Sequence, residues 1–127
     1  VILGLGMDLV EVGRIARILD GPPAIAERFL ARVFTPAERA LCAARRDAAA
    51  GYAARFAAKE AAMKALGAVP GLRWLDFEVV RSAGAPPGLA LAGRAAEAAA
   101  ARRVSRVHLT LTHDAGQAAA TVILEGA

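Results

Sequence analysis

Leu3, Leu5, Met7 and Leu9 alternate with Ile2, Gly4, Gly6 and Asp8 at the start of the chain. A period of two predicts a strand over residues 2–10, with the bulky row facing the core. The opposite row is small. Its two glycines permit close approach of another backbone or helix, and Asp8 ends it. The period then changes: Val12, Ile15 and Leu19 have helical spacing with Arg14 and Arg17 on the other side, predicting a helix over residues 11–19. "DGPP" at 20–23 breaks it.

A short helix is expected over residues 24–31. Thr35, Pro36 and Glu38 follow the order of an N-cap, a first helical residue and a capping-box partner for the next helix. A longer helix covers residues 48–66 and closes at Gly67. "WLDFEVVR" (74–81) reads as a strand, "GAPPG" as a turn and "LAL" (89–91) as a short strand. Residues 93–103 are helical, and residues 106–113 and 117–125 are strands joined by "DAG" in a hairpin. No repeat or linker divides the sequence. Residues 1–127 are therefore read as one domain of the α+β class, an antiparallel sheet packed against a long Ala-rich helix.

Composition sharpens this. Alanine occurs thirty-four times and aromatic residues make up 5% of the chain. Alanine favours helix and buries little area, so Ala-rich helices should pack closely on larger side chains. The net charge is +4 and the pI near 10.2, which suits an acidic partner: nucleic acid, an anionic cofactor or an acidic protein. The charge forms no basic tail and aromatics for base stacking are scarce, which disfavours nucleic acid. A single cysteine, Cys42, excludes an internal disulfide and a Cys-rich metal cluster, pointing to a reducing interior. The apolar start lacks a basic leader and meets Asp8 early, and no apolar run approaches membrane-spanning length. A soluble cytoplasmic protein is expected.

Fourteen of the sixteen basic residues are arginine; the two lysines, Lys59 and Lys64, both fall in "RFAAKEAAMKALG" (55–67), flanking Glu60. On a helical wheel Tyr52, Phe56 and Met63 form a bulky stripe, and Ala54, Ala57, Ala58, Ala61, Ala62 and Ala65 a smooth face. The charges lie on two stripes, Arg55 with Lys59 and Glu60 with Lys64, roughly 140° apart. Glu60 and Lys64 have the spacing of an i,i+4 ion pair worth a few tenths of a kcal/mol. The confinement of lysine to this helix points instead to a compact ammonium used on phosphate or as a proton donor.

If this helix packs over the first strand, Asp8 and Glu60 could meet. Two hard oxygen ligands without cysteine or a neighbouring histidine suit Mg²⁺; the other reading of Asp8 is a cap or first-turn acid for the helix over residues 11–19. His108 and His113 are five apart on a strand and point to opposite faces. His113 has the parity of Val107, Leu109 and Leu111, at the end of an inward-facing row. No P-loop, dinucleotide fingerprint, nucleophile elbow or zinc pattern is present. With only Ser82 and Ser105 in the chain, a serine nucleophile of its own is not expected.

"GLGMDLVEVGRI", "RFAAKEAAMKALG", "WLDFEV" and "VHLTLTHD" followed by "AAATVILE" occur in this order. Together they resemble the short holo-acyl-carrier-protein synthases, bacterial phosphopantetheinyl transferases, over nearly the whole chain. The specific signature is F-x-x-K-E-A-x-x-K-A, matched by Phe56 to Ala65, joined to G-x-D-x-x-E, matched by Gly6 to Glu11. The resemblance implies Mg²⁺-dependent transfer of phosphopantetheine from coenzyme A to a serine of apo acyl carrier protein. Adenosine 3′,5′-bisphosphate leaves, and the product supports fatty acid biosynthesis. It implies Asp8 and Glu60 as magnesium ligands and Lys64 on the phosphates; Glu60, directly or through a metal-bound water, could accept the serine proton. It further implies Arg55, Lys59 and His113 around coenzyme A, and a homotrimer with its sites between subunits. Arg14, Arg17 and Arg28 would dock the acidic carrier, although the uncharged "GPPAIA" interrupts the basic surface usual there. The "GAPPG" turn also lacks the family's usual basic residue.

Overall fold

The computed structural model describes residues 1–127. Helix α4 (Ala48–Leu66) is its axis, ending at Gly67, whose φ of 84° stops the helix. Ala53, Ala57, Ala58 and Ala61 are fully buried against an antiparallel sheet of order β1-β5-β4. These strands are β1 (Ile2–Glu11), β4 (Val104–Asp114) and β5 (Gln117–Gly126). In β5, Ala118, Ala120, Val122 and Leu124 turn towards α4, as Val107, Leu109 and Leu111 do from β4. Small residues on both sides of the interface bring helix and sheet into close contact, so packing substitutes for side-chain bulk.

The first strand faces opposite to expectation. Its glycine row packs inward, and its bulky row is solvent-exposed in the single chain: Leu5 64%, Met7 60% and Leu9 61%. The reason is steric. A Cβ on Gly6 would overlap the Ala61 carbonyl and lie 2.8 Å from Ala65 N, and one on Gly4 would overlap the Ala65 carbonyl. Only glycine lets β1 lie directly on α4. Arg102 reinforces the crossing, donating to the carbonyls of both Ala65 (3.0 Å) and Leu3.

Helices α1 (Val12–Leu19), α2 (Pro23–Val33) and α3 (Pro36–Ala43) follow β1. Ile15 anchors α1 in the core while Arg14 and Arg17 face outward. α2 is longer than expected at both ends, because Pro23 fits a first helical turn and Val33 finds a core position. The capping box forms as read from sequence: Glu38 N donates to Thr35 Oγ1 and Thr35 N to Glu38 Oε1. A hairpin of β2 (Phe77–Val80) and β3 (Gly88–Leu91) and the helix α5 (Gly93–Ala101) complete the chain. Trp74–Asp76 form a 3₁₀ turn rather than the start of the strand. The buried Asp76 carboxylate accepts from Arg73 N (3.1 Å) and its carbonyl from Ala92 N (2.8 Å), holding that turn closed. No helix is long and apolar enough to cross a membrane.

Candidate active site

Two groups of side chains stand on α4. The first is at the β1 crossing. Because Gly4 and Gly6 bring β1 onto residues 61–65 of the helix, Asp8 arrives beside Lys64. The Lys64 ammonium donates to Asp8 Oδ1 (3.0 Å) and to the Met7 carbonyl (2.9 Å). Its side chain is 56% exposed and that of Asp8 18%. Lys64 is therefore turned to the strand, and the i,i+4 ion pair with Glu60 does not form. Asp8 is likewise no helix cap: α1 begins after Glu11, without a side-chain cap.

Glu60 sits one turn before Lys64, half-buried. Its Oε1 accepts a hydrogen bond from Trp74 Nε1 at 3.3 Å. Asp8 thus meets Lys64 across the crossing, and Glu60 stands one helical turn away along α4, held to Trp74. No group of three or more histidine, cysteine or carboxylate side chains gathers anywhere. The donor chemistry at the crossing is two carboxylates with one ammonium.

Lys59 corrects the sequence reading. It is fully buried, and its ammonium donates to Glu38 Oε1 and to the Val33 carbonyl, each at 2.6 Å. It also lies 5.3 Å above the Phe34 ring. Burial pushes its pKa down, and Glu38 opposes that shift. Glu38 Oε2 accepts from Val79 N at 2.9 Å, so the pair ties the end of α2, the start of α3, α4 and β2 together. A lysine so enclosed does not touch a ligand. Its place is in the core.

The second group is a basic groove on the other side of α4. Arg55 is 2% exposed; its guanidinium donates to the Gly51 carbonyl at 3.1 Å, and its Nε has no partner. Two adjoining recesses of about 510 and 300 Å³ are both lined by Arg45, Arg55 and Arg81. Ser82 lines one, Thr112 and His113 the other, and no carboxylate lines either. His113 ends the inward row of β4 as expected, but at the surface, where it joins this groove. His108 points to the opposite face and bonds Glu125 at 2.8 Å. Such a concentration of guanidinium groups suits an anion. Arg55 and His113 are singled out by the sequence; Arg45 and Arg81, on loops, look there like ordinary solvated charges, and only the tertiary arrangement brings them to this groove.

On one helix Arg55 and Glu60 are roughly 140° apart. The basic groove and the carboxylate–lysine cluster therefore open on different sides of a single chain.

Comparison with known proteins gives one consistent result. A sequence model of the 4′-phosphopantetheinyl transferase superfamily matches residues 4–122. The chain is 71% identical over 126 residues to the holo-[acyl-carrier-protein] synthase of Anaeromyxobacter dehalogenans (strain 2CP-C), covering 99% of this chain and 98% of that relative. The solved holo-[acyl-carrier-protein] synthase of Helicobacter pylori, in complex with coenzyme A, has a TM-score of 0.80 at 29% identity, covering 95% of this chain and 99% of that one. The Bacillus anthracis str. Ames enzyme, in complex with coenzyme A (3′,5′-ADP), has a TM-score of 0.78 at 31% identity, covering 99% and 98%. By its sequence, and with the same fold, the chain belongs to the 4′-phosphopantetheinyl transferase superfamily and, within it, to the holo-[acyl-carrier-protein] synthases.

Proposed function

We propose that this enzyme transfers 4′-phosphopantetheine from coenzyme A to a serine of apo acyl carrier protein, with Mg²⁺, and releases adenosine 3′,5′-bisphosphate. The observation that carries the reading is the β1–α4 crossing, where Lys64 lies on Asp8 one helical turn from Glu60. The serine oxygen attacks the phosphorus that bears pantetheine, and the bond from that phosphorus to the bridging oxygen breaks. The serine proton goes to the Glu60 carboxylate. Lys64 turns its ammonium to the charge developing on the leaving phosphate, which is the main demand of phosphoryl transfer.

Asp8 and Glu60 fit Mg²⁺. They are hard oxygen donors without sulfur or imidazole, and Asp8 Oδ1 already accommodates a cation in the form of the Lys64 ammonium. When bound there, the metal supplies positive charge to the pyrophosphate oxygens.

The basic groove of Arg45, Arg55, Arg81 and His113 is the part suited to the phosphates of coenzyme A. Its position on the other side of α4 supports a site completed between copies of the chain. The exposed Leu5, Met7 and Leu9 of β1 supply an apolar face for that contact, and a homotrimer is the assembly proposed. Arg14, Arg17 and Arg28, exposed on α1 and α2, are the docking surface proposed for the acidic carrier. The holo carrier would serve fatty acid biosynthesis in the cytoplasm.

Chromatographic detection of adenosine 3′,5′-bisphosphate tests the reaction. Its release should require coenzyme A, apo carrier and Mg²⁺ together. Release without carrier, or none with all three, would refute it.

A further inference from the structure

Trp74 is the only tryptophan in the chain. Its ring stacks on Phe56, with centroids 6.2 Å apart and planes inclined by 23°, and the Arg32 guanidinium lies 5.7 Å from its centroid. The backbone that carries it is fixed by the Asp76 bonds to Arg73 N and Ala92 N. The indole is therefore a hydrogen-bond donor on a rigid mount, and its N–H points to Glu60 Oε1. Glu60, by contrast, is a long side chain at the edge of α4 with no other hydrogen-bond partner in the chain. A carboxylate in that position samples several rotamers unless something holds it.

We propose that Trp74 is a positioning residue for Glu60. Its indole N–H engages Oε1 and fixes the carboxylate plane, and so leaves Oε2 directed into the site beside Asp8 and Lys64. Phe56 sets the height of the indole on α4, and the 3₁₀ turn sets its approach. This explains why Trp74–Asp76 is held as a turn by a buried carboxylate instead of extending β2: an extended start would swing the ring off Phe56. The inference rests on the reading of Glu60 as a member of the reacting cluster.

Trp74→Phe keeps an aromatic ring against Phe56 and removes only the donor, so it separates positioning from packing. Loss of a hydrogen bond to a charged group predicts a fall in kcat of roughly tenfold or more, with the Michaelis constant for coenzyme A and the melting temperature little changed. A role in packing alone would lower the melting temperature and leave kcat of the folded enzyme intact, and that result would overturn the proposal. The emission of Trp74 supplies a second readout that needs no substitution at the tryptophan, no metal and no substrate. In Glu60→Ala the indole loses its carboxylate partner and its emission should change in position or intensity, whereas in Asp8→Ala it should match wild type. Unchanged emission in Glu60→Ala would show that the bond is absent in solution and would overturn the proposal, even if Trp74→Phe fails to fold. Full activity in Trp74→Phe beside an inactive Glu60→Ala would overturn the positioning role alone. Wild-type activity in Glu60→Ala would overturn the reading of the site and this inference with it.

Discussion

Lys59 and Glu38 are joined at 2.6 Å with neither side chain exposed, twenty-one residues apart in sequence. Both charges have been taken out of water, and each is compensated by further bonds: Val33 O for the lysine, Thr35 N and Val79 N for the glutamate. Removing one partner would strand the other charge in the core.

Lys59→Met should therefore destabilise the fold by about 3–5 kcal/mol, the usual cost of breaking a buried pair. The fraction that remains folded should bind coenzyme A with near-normal affinity. Denaturant unfolding and calorimetric titration check the two parts separately. A stable Lys59→Met protein that no longer binds coenzyme A would return Lys59 to the ligand site.

Gly6→Ala should remove activity by pushing β1 away from α4. The added methyl would meet the backbone of Ala61 and Ala65, which cannot yield as a flexible side chain can. A loss of roughly 1–3 kcal/mol or more is expected from such overpacking. Gly88→Ala is the matched control, since nothing lies within 4 Å of a Cβ there. It should be neutral or slightly stabilising. Thermal melts of both variants decide this, and equal behaviour would discount the glycine crossing.

The two glycines show what could and could not be read in the chain itself. The ends of α4 and the Thr35–Glu38 box were legible because capping is local chemistry, settled within a few residues. The facing of β1 was not. Hydrophobic alternation says which row seeks cover but cannot say whether that cover is the chain's own core or another molecule. On that ground alone Leu5, Met7 and Leu9 belong inward, yet they are exposed. Lys59 failed for a related reason: the capping box accounts for Glu38 completely at the local level, so nothing hinted at a tertiary partner. Strand parity places Asp8 at the end of the glycine row and helix spacing places Glu60 one turn before Lys64, and the crossing then brings Asp8 onto Lys64. The places of Arg45 and Arg81 in the basic groove, and of Trp74 beside Glu60, are visible only in the tertiary arrangement.

Alkaline pH should weaken the fold through Cys42. The thiol is fully buried, and burial raises its pKa against the opposing pull of Arg55 and Arg45. An unfolded cysteine ionises near pH 8.5, so above about that pH the unfolded chain has lost a proton that the folded chain still holds. Stability is then full below about pH 8.5 and falls as the pH rises towards the folded value. Tyr52, also raised by burial, adds a loss of the same sign at higher pH. Cys42→Ala should flatten the slope of unfolding free energy above about pH 8.5. Parallel slopes for wild type and variant would contradict the assignment.

Reversal of charge on α1 should affect the carrier and not coenzyme A. Arg14 is exposed on the helix that follows β1, whereas Arg17 already pairs with Glu11 at 3.3 Å. Arg14→Glu should raise the Michaelis constant for the carrier several-fold. Added NaCl should raise the wild-type constant more steeply than the variant's, because steering between exposed charges is screened within about 10 Å at 0.1 M salt. Unaltered carrier kinetics would move the docking surface elsewhere.

Intact-mass measurement of apo acyl carrier protein, after incubation with coenzyme A, Mg²⁺ and this enzyme, tests the central claim most directly. Wild-type enzyme should add one phosphopantetheinyl group per carrier. Asp8→Ala, folded by circular dichroism, should add essentially none. A carrier left unmodified by wild type, or modified by Asp8→Ala at the wild-type rate, would contradict the account.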